Sequence, residues 1–479
     1  MLRKFFGSLL FITLAYGAFP QPATEFLGLF LQNQRIGLVT ITNLHEPSGR
    51  RSVVKTVLEA QLLGTPTRLE IASEAWIGST GHLVKQVYSI TSGGRDQRIT
   101  AHFLEKTVQV IRESEGASEK KELPVPEGAL LVDDPMSFAW GKEKPEKGSK
   151  VTFYWLDPMA LALLRGEVHY LGAEEKEILG KKQKAEVFHI ITPQGTMETY
   201  WDEGGKFLWG KMMLGIEIRP LTRDEALEGT KGYVPSIDLA TASRILPDKP
   251  ISQPRLVESL TLRVEGSVPL RLPSDGHQEI SRNEGDGVII RVRPPQPTRA
   301  DNIPIKQLRG QEAFLKDASY LNLGDETLRS TLKRIVSGSE NVMDVVKRVT
   351  DFVYKEMRPN ASIALLRDAR EVLRTKEGVC RDYAILTASL LRASGIPTKL
   401  VTGMVYSDGA FYYHAWVEVW TGTRWIGVDP TLNQVGVDAT HVKFAEGNPE
   451  EAFVVSTLDG VKLRVLNITH RESKGGPRP

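Results

Sequence analysis

The strongest constraint on how this chain can fold is a change of hydrophobic period partway along it. From Thr24 to about Arg219 the apolar residues come in short runs or alternate with polar ones, as in RIGLVTITNL, RRSVVKTVLEAQLL, RLEIASEAWI, HLVKQVYSIT and TVQVIRE. Runs of this length, rich in Val, Ile, Thr and aromatic residues and separated by Gly, Pro and charged turns, predict antiparallel strands. From Gln307 onward the repeat is helical. Leu328, Leu332, Ile335 and Val336 recur at helical spacing, and Val342, Val345, Val346, Val349 and Val353 form one apolar stripe. Side chains alternate faces along a strand and return every three to four residues along a helix. The expected fold class is therefore α+β, a large antiparallel β region ahead of a helix-containing C-terminal core.

Punctuation divides the chain further. The expected parts are a signal segment over 1–19, an N-terminal β-rich domain over 24–220, a connecting segment with a small β unit over 221–293, a C-terminal domain over 305–470 and a flexible tail over 471–479. Pro294, Pro295, Pro297 and Pro304 mark the main boundary, because neither helix nor central strand accommodates that density of proline. Within the β region a short helix is expected over DPMALALLRGE, Asp157–Glu167. Gly204-Gly205 suits a tight hairpin, and GKEKPEKGSK, Gly141–Lys150, is expected to be a solvated loop.

At 479 residues the chain has room for roughly three domains, and 41% hydrophobic with 25% charged residues places it among globular proteins. Sixty-one Lys and Arg against 59 Asp and Glu are interspersed, so no basic face for nucleic acid is expected. Arg3 and Lys4 precede an apolar run from Phe5 to Phe19 with small residues at Ala15, Gly17 and Ala18, the layout of an export signal cleaved after Gly17 or Ala18. The run is shorter than a membrane span, so membrane contact is expected only through an uncleaved signal anchor. The expected location is periplasmic, extracellular or envelope-anchored.

Export gives the single cysteine its weight. An oxidising compartment normally pairs cysteines, and Cys380 has no partner in the chain. Ala384, Ile385, Ala388 and Leu391 fall on one helical face after it, and Gly395 with Pro397 ends that helix. Cys380 thus stands at a helix N-terminus, where unpaired N–H groups and the positive end of the macrodipole favour a thiolate; Gly378 would let a substrate approach the backbone. Downstream, LVTGMVY, YYHAWVEVW and RWIGVDP read as three strands. A two-residue turn at Thr421-Gly422 would set His414 directly opposite Asp429, close enough for an imidazole to reach a carboxylate. Cys380, His414 and Asp429 then have the nucleophile, base and orienter roles. The Cys380 amide is one oxyanion donor and the Tyr354 hydroxyl a candidate second. Arg381 and Trp416 are candidates for a substrate groove, although aromatic residues on such strands more often pack. His441 and the other histidines show no ligand spacing, so no metal site is expected.

The residues GVCRDYAILTASLLRASGIPTKLVTG, YYHAWVEVW and WIGVDPT, in that order, resemble the transglutaminase-like superfamily, relatives of papain-like thiol enzymes that include crosslinkers, peptidases and amidases. The resemblance covers roughly Ile305 to Asn467. It implies a nucleophile helix packed on an antiparallel sheet, the roles above for Cys380, His414 and Asp429, a protein or peptide substrate and no cofactor. Crosslinking members usually carry Trp after the cysteine; here it is Arg381, which favours hydrolysis through an acyl-enzyme. Two alternatives stand beside this reading: a crosslinking transglutaminase, and a catalytically idle envelope protein that binds or scaffolds. The β region bears a weaker resemblance to half-open β-barrel domains of exported carrier and sensor proteins.

Overall fold

The structure is a computed structural model that describes residues 23–133, 145–228, 236–266, 272–282, 287–453 and 461–472. The expected signal segment, the first four residues of the expected Gly141–Lys150 loop and most of the expected tail lie outside these. Two compact units are present. One runs to Ala242 and takes in Ala361–Leu365; the other comprises Ser243–Asn360 and the chain from Leu366 onward.

The first unit is built on a 14-stranded antiparallel sheet, from Ala23–Leu31 to Glu217–Leu221. Most strands neighbour the strands that precede and follow them, and Ala23–Leu31 closes the order by pairing with both Gln34–Glu46 and Glu217–Leu221. Alternation is visible in Thr65–Gly78, where Thr67, Leu69, Ile71, Ser73, Ala75 and Ile77 are buried and the residues between them are not. The edge strand Ala117–Pro124, ASEKKELP, exposes Lys120 and Glu122 and ends on Pro124, features that disfavour pairing with another chain. The helix expected over Asp157–Glu167 does not form. Asp157 accepts the Met159 and Ala160 amides at 2.8 and 2.7 Å, closing a turn, and Leu161 has φ of 49°; the chain then enters the long strand Ala162–Ile178. Alternation of Leu164, Gly166 and Val168 with exposed or half-buried neighbours won over helix propensity. Ala361–Leu365 is held in this unit: Thr67 donates to the Ala361 carbonyl at 3.1 Å, and Ala364 N–H donates to Ser92 at 3.1 Å.

In the second unit, a five-stranded sheet runs in the order Gln434–Val435, Trp425–Asp429, Ala410–Trp420, Thr398–Ser407, Val442–Gly447. Helices Glu326–Val336, Val342–Glu356, Ala369–Thr375 and Cys380–Ala393 accompany it. All five valines of the expected stripe in Val342–Glu356 are buried. Cys380–Ala393 is the central helix: every residue from Arg381 to Arg392 is buried, against Ala410–Trp420, Thr398–Ser407 and Val342–Glu356. Its end is a Schellman closure, with Ile396 N–H on the Leu391 carbonyl, Gly395 N–H on the Arg392 carbonyl, and Gly395 at φ of 89°.

The small β unit expected within 221–293 belongs to this second unit. Val257–Glu265, Gln278–Arg282 and Val288–Val292 form a four-stranded sheet with Lys462–His470 from the end of the chain, a partner that local sequence could not reveal. The prolines from 294 to 304 are likewise not where the units divide. Gln296 donates to the Val437 carbonyl at 2.8 Å, and Asp301 takes Arg424 through two contacts, at 2.7 and 3.1 Å. Proline made this stretch extended, and side-chain bonds then fixed it onto the core.

Candidate active site

Three elements bring the candidate residues together. Cys380 is the first residue of the central helix, half-buried, with its amide making no hydrogen bond among the described residues. Asp382 accepts the Val379 amide at 2.8 Å, which fixes the chain's entry into the helix. His414 lies in Ala410–Trp420 and Asp429 ends Trp425–Asp429.

The expected register was off by two residues. Observed pairs are Val417 with Val428, Glu418 with Gly427, Val419 with Ile426 and Trp420 with Trp425. The turn has four residues, Thr421–Arg424, closed by Thr421 N–H on the Arg424 carbonyl at 3.0 Å and pinned by Thr421 and Arg424 on Asp301. A shift of two preserves the face of every side chain. Asp429 therefore sits diagonally from His414 on the same face, and His414 Nε2 meets Asp429 Oδ2 at 2.8 Å. The other carboxylate oxygen accepts the Thr431 and Leu432 amides at 2.8 and 3.2 Å, so Asp429 is fully buried and fully bonded.

The electrostatics follow from these contacts. Burial would raise the Cys380 thiol, but a hydrogen bond from His414, the charge of that imidazole and the Ala415 backbone outweigh it and hold the thiol below its ordinary value. Burial would lower His414, but the charge and hydrogen bond of Asp429 and the contact with Cys380 raise it. Asp429 lies well below the carboxylate range: burial opposes ionisation, and the imidazoles of His414 and His441 overcome it. A thiol held below its ordinary value beside an imidazole held above its own, backed by a carboxylate, is an arrangement that favours a sulfur nucleophile.

Two groove candidates are corrected. Arg381 is 5% exposed; it turns back toward Asp382, with its Nε 3.9 Å from Oδ2. Its guanidinium therefore does not line an open cleft. Trp416 is completely buried, flanked by the rings of His277, His414 and His441 at centroid distances of 6.2, 6.3 and 5.2 Å. It supports the histidines rather than a substrate. Tyr354 is 47% exposed on Val342–Glu356.

Gly378 serves packing. A Cβ there would stand 2.4 Å from Asp382 Oδ2 and 2.6 Å from Arg367 Nη2. Arg367, 1% exposed, runs beneath this point, binding the Glu377 carbonyl and lying 3.3 Å from Asp382. Sequence reasoning missed Arg367 and also His441. His441 Nε2 is 3.0 Å from the same Asp429 oxygen that His414 uses, and Nδ1 is 3.2 Å from the Asp438 carbonyl. The available signal was Asp438, a carboxylate three residues ahead of His441.

Carboxylates also gather at Asp275, Glu418 and Glu446, but Lys443 and Lys399 already occupy the cluster, Lys443 at 2.6–2.8 Å from all three. Nitrogen and oxygen donors of His414, Asp429 and His441 also converge, and the 2.8 and 3.0 Å separations are satisfied as hydrogen bonds.

Comparison with known proteins agrees with this architecture. Residues 329–430 match the model of the transglutaminase-like superfamily. The C-terminal part of this chain contains a transglutaminase-like core domain. That core spans the helices, Cys380, His414 and Asp429. An uncharacterized protein of Mycobacterium tuberculosis is 33% identical over 188 residues, 33% of this chain and 58% of that protein, so the chain spans little more than half the length of this relative. A protein-glutamine gamma-glutamyltransferase of Pseudomonas aeruginosa is 40% identical over 70 residues, 12% of this chain and 10% of that protein. Among solved structures, a proposed cysteine protease of Cytophaga hutchinsonii is 20% identical, covering 47% of this chain and 89% of its own, with a TM-score of 0.29. A β-barrel-like protein of Brucella abortus is 11% identical, covering 42% of this chain and 94% of its own, with a TM-score of 0.33. TM-scores at this level do not establish a common fold.

Proposed function

We propose that this chain is an exported thiol enzyme that cleaves peptide or carboxamide bonds through an acyl-Cys380 intermediate. The observation that carries the reading is the hydrogen-bonded series from Cys380 through His414 to Asp429, with the sulfur at a helix N-terminus. The Cys380 thiolate attacks the carbonyl carbon, and the electron pair of the C=O bond moves to oxygen. The Cys380 amide donates to that oxyanion, with the Tyr354 hydroxyl as second donor. Collapse expels the amine, which takes its proton from the His414 imidazolium, leaving a thioester. His414, now neutral, removes a proton from water; the hydroxide adds, the thioester breaks, and the carboxylic acid leaves with the thiolate restored. A primary amine in place of water would give transamidation.

The basic head and short apolar run at the start of the sequence support export, and a protein or peptide of the envelope or its surroundings is the natural substrate. The test is alkylation of Cys380 by iodoacetamide in the intact protein and in His414→Ala. At about pH 7 the unmutated thiol should react at least about tenfold faster than the variant. Equal rates, or reaction only after denaturation, would instead support the idle binding protein. Product partitioning on a glutamine-containing peptide at rising amine concentration then separates hydrolysis from transfer, and predominantly amine-linked product would reassign the acceptor.

A further inference from the structure

His441 is the second imidazole on Asp429, and the mechanism above leaves it unused. Its Nε2 faces Asp429 Oδ2 at 3.0 Å, its Nδ1 faces the Asp438 carbonyl at 3.2 Å with Asp438 Oδ1 at 3.6 Å, and its side chain is 0% exposed. Both ring nitrogens therefore point at oxygens that can only accept. A neutral imidazole has one N–H and would leave a lone pair facing an oxygen in a site without water access, so the contacts are satisfied only by the imidazolium.

The surroundings are arranged for that charge. Asp438 holds its own cation, Arg255, at 2.9 Å, and also accepts from Thr440 and Gln434. On the far side the His441 carbonyl accepts His277 Nε2 at 2.7 Å, and the His277 ring lies against Trp416. His277 Nδ1, unlike either nitrogen of His441, makes no hydrogen bond among the described residues, so a neutral ring satisfies its contacts, and burial pushes it down to about 4; Glu418 lies 3.5 Å from that nitrogen and is matched by Lys443 and Lys399. His414 faces His441 across Asp429, ring centroids 5.9 Å apart, with Cys380 beyond it. Counting Cys380 as thiolate, the negative groups Cys380, Asp429 and Asp438 are met by the positive groups His414, His441 and Arg255.

We propose that His441 is a positioning residue of this site, a buried imidazolium that fixes Asp429 and, by sharing one carboxylate oxygen with His414, makes His414 part with its proton more readily. The inference rests on the acyl-enzyme reading above, in which His414 must both keep a proton beside the thiolate and surrender it to the leaving amine. A carboxylate serving His414 alone would hold that proton more tightly than one whose charge is shared. A second cation on the same oxygen withdraws part of the carboxylate's charge and repels the His414 proton directly. Asp438 at its other nitrogen keeps His441 itself protonated through the cycle.

The test uses NMR of histidine ring nitrogens in the full chain carrying Cys380→Ala, which removes the coupled thiol. His441, assigned by its loss in His441→Gln, should show two protonated nitrogens at about pH 7. Glutamine keeps an N–H donor toward Asp429 and removes the charge, so the His414 midpoint should rise by about one to two pH units in Cys380→Ala/His441→Gln, as expected for a unit charge about 6 Å away in a medium of intermediate dielectric. A neutral His441, or a His414 midpoint that stays in place while only thermal stability falls, would overturn the proposal. Should the glutamine variant not fold, the ring spectrum of Cys380→Ala decides with His441 assigned by its through-space contacts to the Trp416 ring and to Asp438, because a singly protonated His441 contradicts the charge assignment. Neither readout requires turnover. An unreactive Cys380 in the unmutated chain would remove the enzymatic reading and leave the His441–Asp429 pairing standing, whereas a reactive Cys380 beside a neutral His441 would do the reverse.

Discussion

Asp429 is the residue on which the chemistry converges, since one of its oxygens carries two imidazoles and the other two backbone amides. Replacing it by Asn removes the counter-charge while keeping the shape, so two buried imidazoles lose their shared partner. Iodoacetamide labelling of Cys380 should slow at least about tenfold at about pH 7, and chemical denaturation should show a loss of about 3–5 kcal/mol, the usual cost of breaking one side of a buried ion pair. The pH dependence has a definite sign. His414 is raised above its unfolded value, so the stability it contributes is full below about pH 6.5 and is lost as pH rises through its folded value. Asp429 is depressed, so its contribution is present above about pH 4 and disappears as pH falls through its folded value. Asp429→Asn should flatten both dependences, and unchanged stability profiles would show that these residues are not coupled in the folded state.

At the scale of elements, the nucleophile helix is placed by what lies under its first turn. Gly378 leaves the space that Arg367 and Asp382 fill, and Asp382 in turn holds the Val379 amide. Gly378→Ala should therefore push the entry to the helix away from the sheet, costing about 1–3 kcal/mol, the range for a side chain forced into a packed site. Its effect on Cys380 alkylation should exceed what the stability loss explains, because the sulfur moves with the first turn. Folded Gly378→Ala protein with unaltered labelling kinetics would refute this account. The strand pair beside the helix carries a second lesson. The turn between its strands is four residues long because Thr421 and Arg424 both bind Asp301, more than a hundred residues earlier in the chain. Local turn chemistry suggested two residues, and the distant carboxylate decided otherwise.

For the whole molecule, the two units should differ in their response to acid. The second unit holds carboxylates depressed by buried partners, Asp275 at about 2 through Lys443 against the cost of burial, with Asp429 and Asp438 lower still. It should lose stability progressively as pH falls below about 4. In the first unit, Glu25 on the opening strand is raised to about 7, by burial that Lys206 only partly offsets. Its protonated form is favoured on folding, so it subtracts nothing below about pH 4.5 and costs most once pH passes 7. Glu25→Gln should raise the stability of the first unit at pH 8 by about 1 kcal/mol after allowance for its partial solvent access, and should change nothing at pH 4. Thermal unfolding followed at both pH values checks this; equal gains at the two would assign the effect to packing instead.

How much of this was legible in the sequence depended on range. Alternation named the strands and the 3.6-residue stripe named Val342–Glu356, since both periods follow from backbone geometry alone. The motifs around Cys380, His414 and Asp429 identified the candidate site for the same reason: each is local, and a register error of two left every side chain on its proper face. Tertiary structure decided what required distant groups to meet. Arg381 was turned inward beside Asp382, Trp416 was enclosed by three histidines, and the last described strand, Lys462–His470, was paired with Val257–Glu265 two hundred residues before it. His441 belongs with these. Nothing adjacent to it names Asp429 as a partner, and only the folding of two strands and a loop onto one carboxylate creates the contact, because burial makes every unpaired charge costly and thereby selects the arrangement in which each one is met.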